Sequence, residues 1–236
     1  MKRIATLLVL LSIHFSAFAT WSIIIIDPKT GEIGIAGASC TYSCRGIAKI
    51  APGQGAIVVQ AMSNSDARKK GLQMILDHRS PEEIIQALRA PEFDPEKQQY
   101  AIVSASYLDT PMTYTGTATA AYNGALTAKG VSVQGNTLAS DHELKVIMDA
   151  VVNGQNDRLR IDEILMRALE AGSEAGGDKR CGEQRATCAF LVVAKPNDKP
   201  GRPYLDLEFF GQKRGGMNAV HLLRGKYEKW KRKHSA

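Results

Sequence analysis

Thr20-Trp21-Ser22-Ile23-Ile24-Ile25-Ile26-Asp27-Pro28-Lys29-Thr30-Gly31-Glu32-Ile33-Gly34-Ile35-Ala36-Gly37-Ala38-Ser39 is the stretch on which the fold turns. Residues 20 to 26 are β-branched and aromatic, the composition of a buried strand. Asp27 to Gly31 is a turn by composition: proline fixes φ and glycine is free to take φ > 0. Glu32 to Ser39 reads as the returning strand, with Gly34 and Gly37 allowing close backbone approach. The stretch predicts a hairpin whose first residue is Thr20.

What precedes Thr20 gives that position its interest. Lys2 and Arg3 form a positive n-region, Ile4 to Ile13 are almost wholly apolar, and Ala17-Phe18-Ala19 is a small-x-small cleavage site. The apolar run is about half the ~20 residues that a spanning helix needs. Residues 1–19 are therefore read as a signal peptide, and no later run is long and apolar enough to span a bilayer. The expected product is exported, periplasmic or extracellular in a bacterium, and begins at Thr20.

Charge is unevenly placed. Of the net +6, Lys2 and Arg3 carry +2 and the segment from His221 onward carries +5, so residues 20–220 are close to neutral at −1. A basic tail on a neutral body suits contact with anionic envelope surfaces, or simply solubility. No aromatic residues interleave with the basic ones as in single-strand binders, so nucleic acid is not expected as a partner.

Downstream, Gly53 to Met62 holds a buried strand, Ala56 to Ala61, and Asp66 to Asp77 a helix. Ser80-Pro81-Glu82-Glu83 is a capping box with proline at the first helical position. Strands are predicted over 99–107, 112–119 and 129–134. Ser140 and Glu143 repeat the box spacing ahead of a helix with Leu144, Ile147, Met148 and Val151 inward. A further helix covers 162–174, strands cover 187–194 and 204–210, and a basic amphipathic helix closes the chain. Helices come in pairs between groups of strands, which argues against a doubly wound parallel sheet. The fold class is α+β: two mainly antiparallel sheets sandwiched between helical layers. One domain is expected over 20–210, with a basic helical tail over 211–236.

Four cysteines in an exported chain are permitted to pair, in three connectivities. Four residues of extended strand cover roughly 13 Å, beyond the ~7 Å Cα limit for a disulfide, so a Cys40–Cys44 bridge requires a turn. The Cys40/Cys44 and Cys181/Cys188 spacings are not those of a zinc ribbon, and no metal is expected. Structural disulfides are favoured with the connectivity open.

The chain has no phosphate loop, no H-E-x-x-H and no G-x-S-x-G. His78, His142 and His221 sit on predicted helices and are read as surface or helix-end residues. A histidine-based triad is poorly supported, but the N-terminus offers another route. A threonine hydroxyl needs a base. The α-amine of the same residue, with an ordinary pKa of about 7.7–8.0, can serve near neutral pH. Cleavage before Thr20 would supply nucleophile and base together.

The run at 20–39, with Gly55-Ala56-Ile57-Val58-Val59-Gln60, Val133-Gln134-Gly135-Asn136 and Ala175-Gly176-Gly177-Asp178-Lys179-Arg180 in order, resembles an uncharacterised bacterial family known as domain of unknown function 1028. The resemblance covers roughly 20–194 and implies the four-layer αββα sandwich of N-terminal-nucleophile (Ntn) hydrolases. It implies Thr20 as nucleophile, with Ser39 holding its amine and Asn136 offering an amide donor to an oxyanion. Asp178 would orient the amine or neutralise Arg180, and Gln60, Asn64 and Arg180 would serve substrate binding. Each has a plain structural duty as well: Ser39 and Gln60 can satisfy backbone, Asn136 can supply a left-handed turn, and Asp178 can cap one.

The cysteines depart from the family pattern. If the resemblance holds, both pairs flank the site, making a cross-link between the two loops as plausible as two local bridges. Lys49 is read as a surface lysine. The expected activity is amide or peptide hydrolysis on a small-molecule or peptide substrate, without a cofactor. The alternative is a fold relative without catalysis that binds an envelope ligand or protein partner. Oligomeric state stays open, a homo-oligomer included.

Overall fold

The computed structural model describes residues 20–234. The signal-peptide assignment of residues 1–19 lies outside the described residues. From Thr20 the chain forms the expected hairpin, β1 (Thr20–Ile26) and β2 (Ile33–Ser39), in the antiparallel register Thr20↔Ser39 to Ile26↔Ile33. Its turn is tied by Asp27, which accepts from the Lys29 amide at 2.8 Å and from Thr30 Oγ1 at 3.1 Å; Gly31 closes it at φ +70°.

The remaining elements follow in order: β3 (Ala48–Ala51), β4 (Gly55–Ala61), α1 (Ser65–Leu76), α2 (Pro81–Leu88), β5 (Gln98–Ser104), β6 (Met112–Thr115), β7 (Gly124–Ala128), β8 (Val131–Asn136), α3 (Glu143–Asn156), α4 (Ile161–Glu174), β9 (Cys188–Ala194), β10 (Leu205–Phe209) and α5 (Ala219–His234). They build a six-stranded sheet, β10-β9-β2-β1-β8-β7, and a four-stranded sheet, β3-β4-β5-β6. Every ladder is antiparallel. The chain is thus mixed α+β with two antiparallel sheets, and β1 is an inner strand of the larger one.

The run of four isoleucines follows from β1 being covered on both faces. Ile24 and Ile26, with Ile33 and Ile35, pack against Ala56, Val58, Ala101, Val103 and Phe190 between the sheets. Trp21, Ile23 and Ile25 face the other way, against Leu144, Ile147, Leu165 and Leu169 of α3 and α4. On the far side of the smaller sheet, Ile57 and Val59 bury against Ile75, Ile84 and Leu88 of α1 and α2. Each such side chain contributes about 1.5–3 kcal/mol on burial, and together they fix the layering. The glycines of β2 serve the same packing. A Cβ at Gly34 would overlap Leu165, and one at Gly37 would lie 2.7 Å from the Phe190 ring.

Several local expectations change. The strand expected over 99–107 ends at Ser104 in a short 3₁₀ turn, and the one over 112–119 ends at Thr115. The partly exposed β3 and β7 were not anticipated, because neither carries a buried apolar face along its length. Ser80 and Glu83 form the reciprocal capping box. Ser140 and Glu143 do not: Ser140 Oγ donates to Ala175 O, and the N-cap of α3 is His142 without a side-chain cap bond. Finally, α5 buries Val220, Leu223 and Tyr227 in the same cluster as α3 and α4, and Tyr227 Oη donates to Asp162 Oδ2 at 2.8 Å. Residue 211 therefore marks no break in the packing. No helix among the described residues is long and apolar enough to cross a membrane.

Candidate functional site

Thr20 opens β1 between two partners, Ser39 of β2 and Asn136 of β8, which the register places on either side of it. Three of the four residues assigned to catalysis thus lie side by side at one end of the larger sheet. Gln60 of β4 reaches across from the facing sheet and donates from Nε2 to the Thr20 carbonyl at 3.1 Å. Its Oε1 accepts from Ser22 Oγ at 2.6 Å, and Ser22 accepts in turn from Gln134 Nε2 at 2.7 Å. These groups are buried, and a buried amide is costly unless paired, so the network holds the start of β1 in one position. Gln60 is thus a positioning residue between the sheets rather than a lining residue.

Gln99 extends the network and fixes the orientation of Asn136. Its Nε2 donates to Thr115 Oγ1, Gly124 O and Gly135 O at 2.9–3.0 Å, so its Oε1 is the acceptor. That oxygen takes Gln60 Nε2 at 2.7 Å and Asn136 Nδ2 at 3.3 Å. Asn136 must therefore turn its nitrogen to Gln99. Its Oδ1 is buried with no hydrogen-bond partner among the described residues. One amide hydrogen is engaged, and the orphan is an acceptor. The oxyanion role expected of Asn136 falls to its second N–H alone.

Asp178, 0% exposed, accepts four hydrogen bonds: Cys40 N at 2.6 Å, Arg180 N at 3.0 Å, Arg180 Nε at 3.1 Å and Arg180 Nη2 at 2.7 Å. It both caps its turn and neutralises Arg180. Arg180 Nη2 also reaches Ser39 Oγ at 3.5 Å, and Thr41 Oγ1 donates to the same oxygen at 3.3 Å. Two donors directed at Ser39 Oγ orient its hydroxyl. A Cys40–Cys181 disulfide, Cα–Cα 5.6 Å, joins the two loops that carry Ser39 and Asp178. Of the connectivities left open, the bridge between the loops is the one formed. Cys44 and Cys188 are reduced and buried, and burial pushes the Cys44 thiol well above its ordinary value.

Thr20 and Ser39 line a cavity of about 240 Å³ whose rim includes Thr41, Ser43, Ser63, Met62 and Arg68. Asn136 lines an adjoining one of about 240 Å³ with Lys97, Thr119 and Ala120. Ala61 and Met62 border both. Ala61 and Ser63 carry φ of +68° and +54°, a conformation that costs non-glycine residues of order 1–3 kcal/mol and here shapes the wall between the cavities. Asn64 is not part of that wall. It caps α1, its Oδ1 accepting from Asp66 N at 2.9 Å and Ala67 N at 3.0 Å. The preference of asparagine for helix N-caps is the signal that identifies this role.

Arg68 was not anticipated. It sits one turn into α1, half-buried, with Nη1 donating to Ser63 Oγ at 3.2 Å, and burial draws its guanidinium down from its ordinary value. The sequence shows only Arg68-Lys69-Lys70, and the 3.6-residue period decides which of the three meets the cavity. Behind Asp178 lies a second unexpected group. Glu143 is 0% exposed, and neither carboxylate oxygen has a hydrogen-bond partner among the described residues. Burial pushes its carboxyl up to about 8. The nearby Ala139 and Gly177 amides oppose that rise, and both also donate to backbone carbonyls, Gly177 O and Gly172 O. Lys49, His78, His142 and His221 are all exposed, and none lines the cavity beside Thr20. No group of three or more His, Cys, Asp or Glu among the described residues could hold a metal ion.

The antiparallel two-sheet α+β fold agrees with the comparisons. The chain belongs to the family of unknown function DUF1028, whose pattern matches residues 20–212. The crystal structure of a DUF1028 protein from Silicibacter pomeroyi superposes with a TM-score of 0.74 at 24% identity, over 90% of this chain and 89% of that one. At that identity the likeness is one of fold. None of the curated proteins matches the chain.

Proposed function

We propose that the protein is an exported Ntn hydrolase with the αββα sandwich of that class, and that it cleaves an amide or peptide bond with Thr20 as nucleophile. The observation that carries the reading is the register: Thr20 begins an inner strand, between Ser39 and Asn136, on the wall of a cavity. Cleavage after Ala19 would free its α-amine. That amine takes the hydroxyl proton as Oγ1 attacks the substrate carbonyl carbon. Ser39, paired with Thr20 across the ladder, accepts an N–H of that amine at Oγ, which leaves the amine lone pair free for the hydroxyl proton. The second N–H of Asn136 supports the oxyanion, a contribution of roughly 3–4 kcal/mol where such donors are removed.

The tetrahedral intermediate collapses as the C–N bond breaks, and the departing amine takes the proton from the α-ammonium. The acyl group is left as an ester on Thr20. Water, deprotonated by the same amine, attacks that ester and releases a carboxylic acid, while the proton returns to Oγ1. Asp178 and the Cys40–Cys181 bridge hold the two loops around the nucleophile throughout.

The test is kinetic. Against a panel of acyl anilides, Thr20→Ala should lose turnover while keeping its fold by circular dichroism, and Thr20→Ser should keep part of it. Equal turnover in Thr20→Ala and the unaltered protein would remove the nucleophile from the scheme.

A further inference from the structure

The cavity beside Thr20 carries a charge that its walls do not balance. Among the described residues its lining offers the hydroxyls of Thr20, Ser39, Thr41, Ser43 and Ser63, apolar Ile47 and Met62, and one cation, Arg68. No Asp or Glu among the described residues lines it. Arg68 forms no ion pair with any described residue, unlike its exposed neighbour Lys69, which pairs with Asp66 at 3.1 Å. Its hydrogen bond from Nη1 to Ser63 Oγ uses a single donor of the five on a guanidinium. A half-buried guanidinium keeps its charge, and charge shielded from water without a counter-ion is costly. The other arginine near Thr20 meets this cost internally, because Asp178 takes up Arg180 through two oxygens. Within one site, one arginine is neutralised and the other is held open toward the cavity.

We propose that Arg68 makes this cavity a carboxylate site, so that the acyl group delivered to Thr20 carries a free carboxylate bound by Arg68 and Ser63. A guanidinium fork matches the two oxygens of a carboxylate. A single cation balances a monoanion, which favours a carboxylate over a phosphate dianion. The volume, about 240 Å³, lies below the ~300–1,000 Å³ usual for ligand pockets, so the acyl group is short, of the size of a small dicarboxylic acid. The substrate is then the amide of such an acid. The binding claim stands on the cavity alone. Its placement on the acyl side rests on the hydrolase reading above.

The experiment has two independent arms on the exported protein. In the first, NMR titration measures binding of glutarate, of neutral glutaramide and of inorganic phosphate. Glutarate should bind more tightly than both. Arg68→Gln should weaken it about ten- to a hundredfold, the loss expected for a charge-assisted hydrogen bond. Arg68→Lys, which retains charge and stem, should lie between. Glutarate binding no better than glutaramide or phosphate, or an unaltered affinity in Arg68→Gln, would overturn the carboxylate site. The second arm compares hydrolysis of glutaryl and pentanoyl anilides and should favour the glutaryl compound. Arg68-dependent glutarate binding with neither anilide cleaved would preserve the anion site and remove its acyl-side placement. Cleavage with preference for the pentanoyl compound would leave a hydrolase and refute the substrate class.

Discussion

Asp178 and Glu143 are carboxylates with no exposed surface, close enough that the charge of one raises the proton affinity of the other. The fold treats them oppositely. Asp178 accepts from two backbone amides and two side-chain nitrogens, and its charge is answered by Arg180. Glu143 has no hydrogen-bond partner among the described residues and is pushed up to about 8 by burial, so near neutral pH it is mostly protonated. Equal burial thus gives unequal chemistry. Donors, rather than depth, decide whether a buried carboxyl keeps its charge. The charged one is used to hold the loops beside Thr20, and the neutral one fills space at the start of α3.

The sharpest way to break this comparison is Asp178→Ala, which removes the acceptor of the Cys40 amide and the counter-ion of Arg180. Breaking one side of a buried pair costs about 3–5 kcal/mol. Urea denaturation should show a loss of that order, whereas an unchanged midpoint would mean that water replaces the carboxylate.

Glu143 should behave in the opposite sense. Its folded pKa, about 8, lies above its ordinary 4.5. Its contribution to stability is therefore full below about 4.5 and is lost as pH rises through about 8. At 1.36 kcal/mol per unit, the fall between pH 5 and pH 8 is on the order of a few kcal/mol. Glu143→Gln should flatten the dependence of melting temperature on pH and raise it at pH 8. A Glu143→Gln profile parallel to that of the unaltered chain would place the titration elsewhere.

The smallest effect concerns the spacing that Glu143 shares with Glu83. Ser80→Ala removes a capping bond and should cost about 1 kcal/mol. Ser140→Ala, which removes only a 3.4 Å bond to Ala175 O, should cost less. Thermal melts of the two variants side by side measure the difference.

That pair also shows how far the sequence could be read. S-x-x-E at 80–83 and at 140–143 is the same local signal, and proline at the first helical position is the local feature that favours the former. The latter is overridden because its glutamate is drawn under the Gly176-Gly177-Asp178 turn. The hairpin from Thr20 to Ser39, and hence their pairing, was legible because a β-branched run followed by the Asp27-Pro28-Lys29-Thr30-Gly31 turn and an Ile-, Ala- and Gly-rich return admits few alternatives. Gln60 is a site candidate from the sequence, but its contact with the Thr20 carbonyl depends on how the two sheets face each other, which no local pattern encodes. The same holds for Gln99 and for the choice of Cys181 as the partner of Cys40. Arg68 was hidden for a different reason. Its meaning lies in the carboxylate that is missing beside it, and that becomes visible only once the cavity is assembled.

The central claim is that Thr20 becomes the amino terminus and acts as the nucleophile. Intact mass and N-terminal sequencing of the exported protein, after exposure to an electrophile directed at N-terminal nucleophiles, test it most directly. The account predicts a chain that begins at Thr20 and carries one adduct on that residue, absent from Thr20→Ala. A chain that begins elsewhere, or an unmodified Thr20 at the terminus, would contradict it.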